Sequence, residues 1–368
     1  MSRLVHEEDL EDLARGAAVL GTGGGGNPYI GKLLARQAMA EFGPVTLVPA
    51  EEVPDDALVA HSAMMGAPTV MVEKLPQGSE VVSAFEALSD HLHRPLTHVA
   101  CSQAGGINST IPFVVAACLG IPLIDADGMG RAFPELQMSI PGMHGVDASP
   151  LAMADEKGNR LVVDAVDNHW IERLARTATI DMGCSSLIAL YASTGAQVKE
   201  SMVLGTLTLC QEVGRLLREA RAEHRDPVDA ILERIDGRRL FHGRVVDVQR
   251  RTETGFARGM AQLEGLDESG GSELTLRFQN ENLVAVRDGE VVASVPDLII
   301  ALDAESGEPV GTEELRYGYR LSVLGAPCDP RWRTPRGLEL VGPRYFGYDF
   351  DYVPLEERLA EPAAEQPA

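Results

Sequence analysis

Two cysteines, two aspartates and two glycine-rich turns are the parts of this 368-residue sequence best suited to chemistry. Cys184 lies in Asp181-Met182-Gly183-Cys184-Ser185-Ser186, which reads as a strand end followed by a helix start. Backbone N–H groups and the helix dipole at such a position favour a thiolate, so Cys184 is the first candidate nucleophile. Cys101 ends a second strand-like run beside Gly105-Gly106, where α/β folds commonly place reactive groups. For both thiols the competing reading is simple burial, the commonest fate of a free cysteine. Asp125 and Asp127 stand two apart on an extended segment and therefore share a face, with Arg131 and Glu135 following. Such a cluster can hold a cation or accept the N–H groups of an amide- or amidine-like ring. Alternatively, Asp125 caps a helix or turn while Arg131 and Glu135 pair with each other.

The segment Leu20-Gly21-Thr22-Gly23-Gly24-Gly25-Gly26-Asn27-Pro28 places five glycines in six positions between two helical patterns. Glycine admits positive φ and close backbone approach, so the N–H groups of Gly23, Gly24, Gly25 and Gly26 can converge on an anion or a ligand carbonyl. No Gly-Lys-Ser/Thr follows, and a helix pattern rather than a strand precedes, which excludes a nucleotide-binding P-loop and a dinucleotide fingerprint. The second turn, Cys101-Ser102-Gln103-Ala104-Gly105-Gly106-Ile107-Asn108-Ser109, follows an apolar run and precedes a helix. Both turns are expected to face one site, with Asn27, Gln103 and Asn108 joining Arg131 and Glu135 in binding substrate.

Positioning these residues requires alternating helices and strands over the first part of the chain. Helical spacing covers residues 7–20, 29–42, 81–92, 111–119, 170–177, 198–221 and 227–235. Strand-like runs fall at 46–49, 57–62, 98–101, 122–125 and 161–165. After Gly237 short runs at 241–248, 255–263, 273–279, 283–286, 290–293, 298–302 and 316–323 alternate with turn residues. The expected architecture is an α/β N-terminal domain (1–237) carrying the active site, a β-rich C-terminal domain (238–355) and a disordered acidic tail (356–368).

Composition narrows the function. Lysine and arginine total 32 against 55 acidic residues, a net charge of −23, which argues against nucleic acid or an anionic membrane as partner. No apolar run approaches the ~18–20 residues of a membrane span, and the polar N-terminus lacks a signal-peptide core, so a cytoplasmic location is expected. Five cysteines without a CxxC pair fit reduced thiols. His61, His144 and His242 are isolated, and His91 and His93 do not share a helix face, so neither a metal nor another cofactor is expected.

Several motifs together resemble one family. They are Leu20 to Pro28, Met65-Gly66-Ala67-Pro68-Thr69-Val70 with Glu73-Lys74, Gly105 to Ser109, and Asp125-Ala126-Asp127-Gly128-Met129-Gly130-Arg131-Ala132-Phe133-Pro134-Glu135. Phe241 to Arg244, Tyr317 to Arg320 and Gly342 to Tyr348 extend the match over nearly the whole chain. The sequence resembles the S-methyl thiohydantoin desulfurases, a family associated with hydantoinase and oxoprolinase systems. That resemblance implies the two-domain fold and hydrolysis of an S-methyl thiohydantoin to a hydantoin with release of methanethiol. Gln103 stands where an acidic residue is common, and Cys184 where a small residue is common. The residues of this chain suggest a mechanism in which Cys184 attacks the S-methyl-bearing carbon, with Cys101 as alternate nucleophile, Asp125 or Asp127 holding ring N–H groups and the Gly23 to Gly26 N–H groups holding the ring carbonyl. Two other readings remain: a hydantoinase-like cyclic amide hydrolase using carboxylate- or metal-activated water, and a noncatalytic ligand-binding subunit. The expected partner is a small heterocycle, with a homo-oligomer as a further possibility.

Overall fold

Apolar runs bounded by glycine and proline fold into two sheets. The computed structural model describes residues 1–66, 70, 77–253 and 255–360. Among them the first sheet contains β1 (Arg3–Val5), β2 (Val45–Val48), β3 (Leu58–Gly66), β4 (His98–Cys101), β5 (Leu123–Asp127), β6 (Leu151–Ala154), β7 (Arg160–Val163), β8 (Ser185–Thr194) and β9 (Val203–Leu204). Its order is β1-β2-β5-β4-β3-β8-β6-β7, with β9 added to β5. The centre, β2-β5-β4-β3, is parallel, and β8 then runs antiparallel to β3. Connecting helices such as Ser79–Leu92 and Ile111–Leu119 bury apolar faces on it; residues 111–117 of the latter are all buried. The first part is therefore α/β with a mixed sheet, the antiparallel additions being β1 at one edge, before the parallel strands in the chain, and β6 to β9 after them.

The second sheet is antiparallel throughout: β14-β13-β12-β11-β10-β16-β15. Its strands are β10 (Arg238–Glu253), β11 (Phe256–Gly265), β12 (Glu273–Gln279), β13 (Glu281–Arg287), β14 (Glu290–Ser294), β15 (Leu298–Asp303) and β16 (Arg320–Ala326). One face of the second sheet has its own core, with Phe241, Leu263, Leu276 and Val323, but the two sheets also share one. Leu283, Ile300 and Leu324 from the second belong to the same buried cluster as Leu13, Ala17 and Phe113 from the first. Polar ties cross the same junction: Asn282 N–H donates to the Thr22 carbonyl (2.8 Å), Thr312 N–H to Gly23 (2.9 Å) and the Trp332 indole to Met129 (2.7 Å).

Three local expectations are corrected. Residues 179–183 do not end a strand: Thr179–Asp181 are the last residues of the helix Asn168–Asp181, and Cys184 stands in the bend just before β8 rather than at a helix start. Strand β8 is buried between β3 and β6, so its apolar run lacks the alternation that separates strand from helix. The helix expected over 198–221 is two, Gly195–Ser201 and Thr206–Ala222, separated by β9 and by Gly205 at φ 78°. The expected tail begins in order, because Leu355–Arg358 is a short helix and Glu356 bonds to Arg333; residues 361–368 lie outside the described residues.

Candidate functional site

Strands β3, β4 and β5 run parallel, and β3 continues four residues beyond the level at which Ser62 pairs with Cys101. This overhang, Ala63 to Gly66, walls one side of a cavity of about 60 Å³ at the junction of the two sheets. Gly25 and Gly26 form another side, and Ser102, Gln103 and Asn108 come from the turn after β4. Met129 and Phe133 to Leu136 follow β5, Arg176 comes from the helix Asn168–Asp181, and Asn280, between β12 and β13, and Glu281, the first residue of β13, come from the second sheet. The motif continuing past Gly66, through residues 67–69 with Glu73 and Lys74, lies outside the described residues.

The two glycine turns meet. Ile107 and Asn108 donate their N–H groups to the Gly25 carbonyl (2.8 and 3.3 Å), and a Cβ on Gly25 would stand 2.4 Å from the Cα of Gly105. Only Gly25 and Gly26 of the loop line the cavity. Gly23 ties to Thr312, and Gly24 lies under Glu281, whose carboxyl a Cβ there would strike. Asn27 caps the helix Pro28–Phe42 by accepting from Tyr29 N–H (2.9 Å).

Each amide side chain in the cavity has its carbonyl half engaged. Asn108 Oδ1 accepts from Met64 N–H (2.8 Å), and Gln103 Oε1 from Phe133 N–H (3.2 Å). The NH2 halves are what these groups can offer a ligand carbonyl. Glu135 also lines the cavity and accepts from the Tyr345 hydroxyl (2.7 Å).

Other expected residues lie behind the wall. Asp125 caps the helix Thr206–Ala222, accepting from Leu207 N–H (2.9 Å) and Thr208 N–H (3.0 Å). Asp127, fully buried, accepts from Ala104 N–H (2.9 Å), Met129 N–H (3.0 Å), Gly130 N–H (2.8 Å) and the Thr206 hydroxyl (2.8 Å). Burial pushes its pKa up to about 6 against the pull of these donors. It thereby pins together the two turns that carry Gln103 and Phe133. Arg131, also fully buried, donates to the carbonyls of Pro296 (2.9 Å) and Asp297 (2.7 Å) and to the Thr22 hydroxyl (2.9 Å). It stacks on Phe133, 4.6 Å from the ring centroid, and braces the two sheets instead of pairing with Glu135.

The thiols are placed differently from the nucleophiles anticipated. The Cys101 Sγ is fully buried and donates to the carbonyls of Gln103 (3.0 Å) and Asn108 (3.3 Å). Desolvation, with Asp127 nearby, pushes its ionisation far above the ordinary thiol range, so it serves as a neutral donor holding the turn. Cys184 sits just past a helix C-terminus with its own N–H bound to Thr179 (2.8 Å), so that helix end offers a thiolate carbonyls rather than N–H groups. Its backbone is left-handed (φ 63°), and its carbonyl packs against Gly66 at the cavity rim.

Sequence reasoning missed Glu281, Asn280 and Arg176. Asn280-Glu281-Asn282 falls between the strand runs 273–279 and 283–286 expected from sequence, yet these residues and Gln279 are buried because the β12–β13 turn enters the junction. Asn280 takes the left-handed conformation (φ 57°) that asparagine tolerates, and its Oδ1 accepts from Ala257 N–H (2.9 Å). Glu281 is 2 % exposed, and its Oε2 has no hydrogen-bond partner among the described residues. Burial raises its pKa to about 8 despite the opposing charge of Arg131 and the Gly25 N–H. Four consecutive amide and acid residues at a strand boundary were the available signal. Arg176 pairs with Glu172, donates to the Pro134 carbonyl (3.1 Å) and stacks on Phe256. No group of three or more histidine, cysteine or acidic residues is arranged to hold a metal ion among the described residues. Within the same limits, no helix is long and apolar enough to cross a membrane.

Comparison with known proteins gives this architecture a context. A crystal structure of a protein from Chromobacterium violaceum superposes with a TM-score of 0.82 at 25% identity, covering 96% of this chain and 100% of the other. No curated protein matches. The family model described as S-Me-THD-like, N-terminal domain, matches residues 8–165, and that described as S-Me-THD-like, C-terminal domain, matches 166–355. The boundary between them precedes β8, whereas the second sheet begins only at Arg238. With matches running from residue 8 to 355, the chain belongs to the S-Me-THD-like family.

Proposed function

We propose that the junction cavity hydrolyses an S-methyl thiohydantoin to the hydantoin, releasing methanethiol. The observation that carries this reading is the polar part of the lining: glycine-loop backbone, two amide side chains whose carbonyl halves are already engaged and one buried carboxyl, all around a space of about 60 Å³. That lining suits a flat ring on which carbonyl and N–H groups alternate, and the space is far below the roughly 300 Å³ at which larger ligand sites begin. Asn108 and Gln103 donate to the ring carbonyl. The S-methyl-bearing carbon lies between two nitrogens and is electrophilic as in an amidine. Water adds there, the C–S bond breaks, and sulfur leaves with a proton as methanethiol. Five free cysteines suit a reducing, cytoplasmic setting. Incubating the protein with an S-methyl thiohydantoin tests the reading: hydantoin and methanethiol should form one to one, and absence of thiol counts against it.

A second reading rests on the left-handed Cys184 beside Gly66. Its thiolate would displace methanethiol and form a covalent thio-intermediate that water then hydrolyses. Trapping that adduct by mass spectrometry distinguishes it from direct water attack.

A further inference from the structure

We infer that Glu281, delivered by the second sheet, is the catalytic acid and base of the cavity and that one carboxyl shuttles every proton of the reaction. The inference rests on the hydrolytic reading above. Three independent features of the structure converge on it. The Glu281 side chain is buried against Gly24 and lines the cavity, so it reaches the space that a bound ring would occupy. Its Oε2 lacks a partner among the described residues, whereas Asp127 has every donor it needs and Asp125 is used as a cap. A buried polar atom left unpaired in this way costs stability and is retained where a ligand completes it. Finally, the charges around it hold the carboxyl in a shuttling range. Arg131 from the turn after β5 favours the carboxylate, while burial and Glu313 from the chain after β15 favour the acid; across the cavity stand Glu135 and Arg176. Protonated near neutral pH, Glu281 is a donor first.

Neutral Glu281 protonates the imine nitrogen of the ring and becomes a carboxylate beside the resulting cation. Water adds to the S-methyl-bearing carbon and gives a proton to Glu281. Glu281 returns that proton to sulfur as the C–S bond breaks and methanethiol departs. The hydroxyl left on carbon then gives its proton to Glu281, forming the hydantoin carbonyl and restoring the neutral acid. One water is consumed and one thiol released, with no oxidant, reductant or cofactor.

Methanethiol release and hydantoin affinity, measured on wild type, Glu281→Gln and Glu281→Asp, test the inference. Glu281→Gln should lose about 100- to 10,000-fold in kcat while binding hydantoin within a few-fold of wild type, and Glu281→Asp should recover part of the rate. A Glu281→Gln rate within tenfold of wild type overturns the role. If wild type releases no thiol, the functional reading fails, and infrared spectra then decide Glu281 separately. A protonated carboxyl band at pH 7 that vanishes in Glu281→Gln sustains an acid poised in this cavity, and its absence overturns the inference.

Discussion

Asp127 and Glu281 both carry buried carboxyl groups, one at the end of a central strand of the first sheet and one at the start of β13 in the second, and they are held differently. Asp127 is saturated by three backbone N–H groups and a hydroxyl, so its charge is spent on holding two turns in place. Glu281 keeps an oxygen unpaired and faces a cavity. Burial alone therefore does not mark a reactive acid; unfilled hydrogen-bonding capacity beside open space does. Under the proposed reading the first sheet supplies most of the frame and the ring-binding groups, and the second supplies the proton carrier.

The largest effect that can break this contrast is pH dependence. Glu281 must begin protonated, so kcat/KM should hold steady up to about pH 8 and then fall about tenfold per unit as its raised pKa is passed. A profile that rises through this range would make a carboxylate, not an acid, the required form. Next comes Asp127→Asn, which removes acceptor capacity from a fully buried cluster. About 3 kcal/mol of stability and on the order of 4 °C in melting temperature should be lost, with less effect on kcat than at Glu281. Normal melting with a hundredfold loss of rate would instead place Asp127 in the chemistry.

A smaller effect concerns stability at Glu281. Its folded pKa of about 8 lies above the ordinary 4.5, so the protonated form's contribution is complete below pH 4.5 and is lost as pH rises toward 8. Glutamine resembles the neutral acid. Glu281→Gln should therefore melt with wild type near pH 4.5 but on the order of 3 °C above it at pH 8.5; equal melting at both pH values would contradict the burial argument. Smallest is Cys184→Ala, expected to leave methanethiol release within about threefold under direct water attack. A loss approaching the effect expected at Glu281 would favour the covalent reading.

Much of the frame was legible in the sequence. The segments 98–101, 111–119 and 273–279 fold over the bounds their apolar spacing predicts, and the two glycine turns meet as their composition suggested. What failed did so for identifiable reasons. Strand β8 is buried on both sides and carries no alternation, which misplaced Cys184 at a helix start. Asp125 and Arg131 sit in a striking-distance motif along the chain, yet their partners come from residues 207–208 and 296–297, which local spacing does not reveal. Glu281 was overlooked because a polar tetrad looks solvated until the second sheet presses it into the first. The site is thus divided: its glycine and amide components announce themselves locally, and its acid depends on a contact between segments more than 250 residues apart.

A crystal structure of the protein with hydantoin bound tests the central claim most directly. The account predicts the ring in the junction cavity, its carbonyl within hydrogen-bond distance of the Asn108 or Gln103 amide and a ring nitrogen against Glu281. Hydantoin seated elsewhere, with Glu281 out of reach, would contradict it.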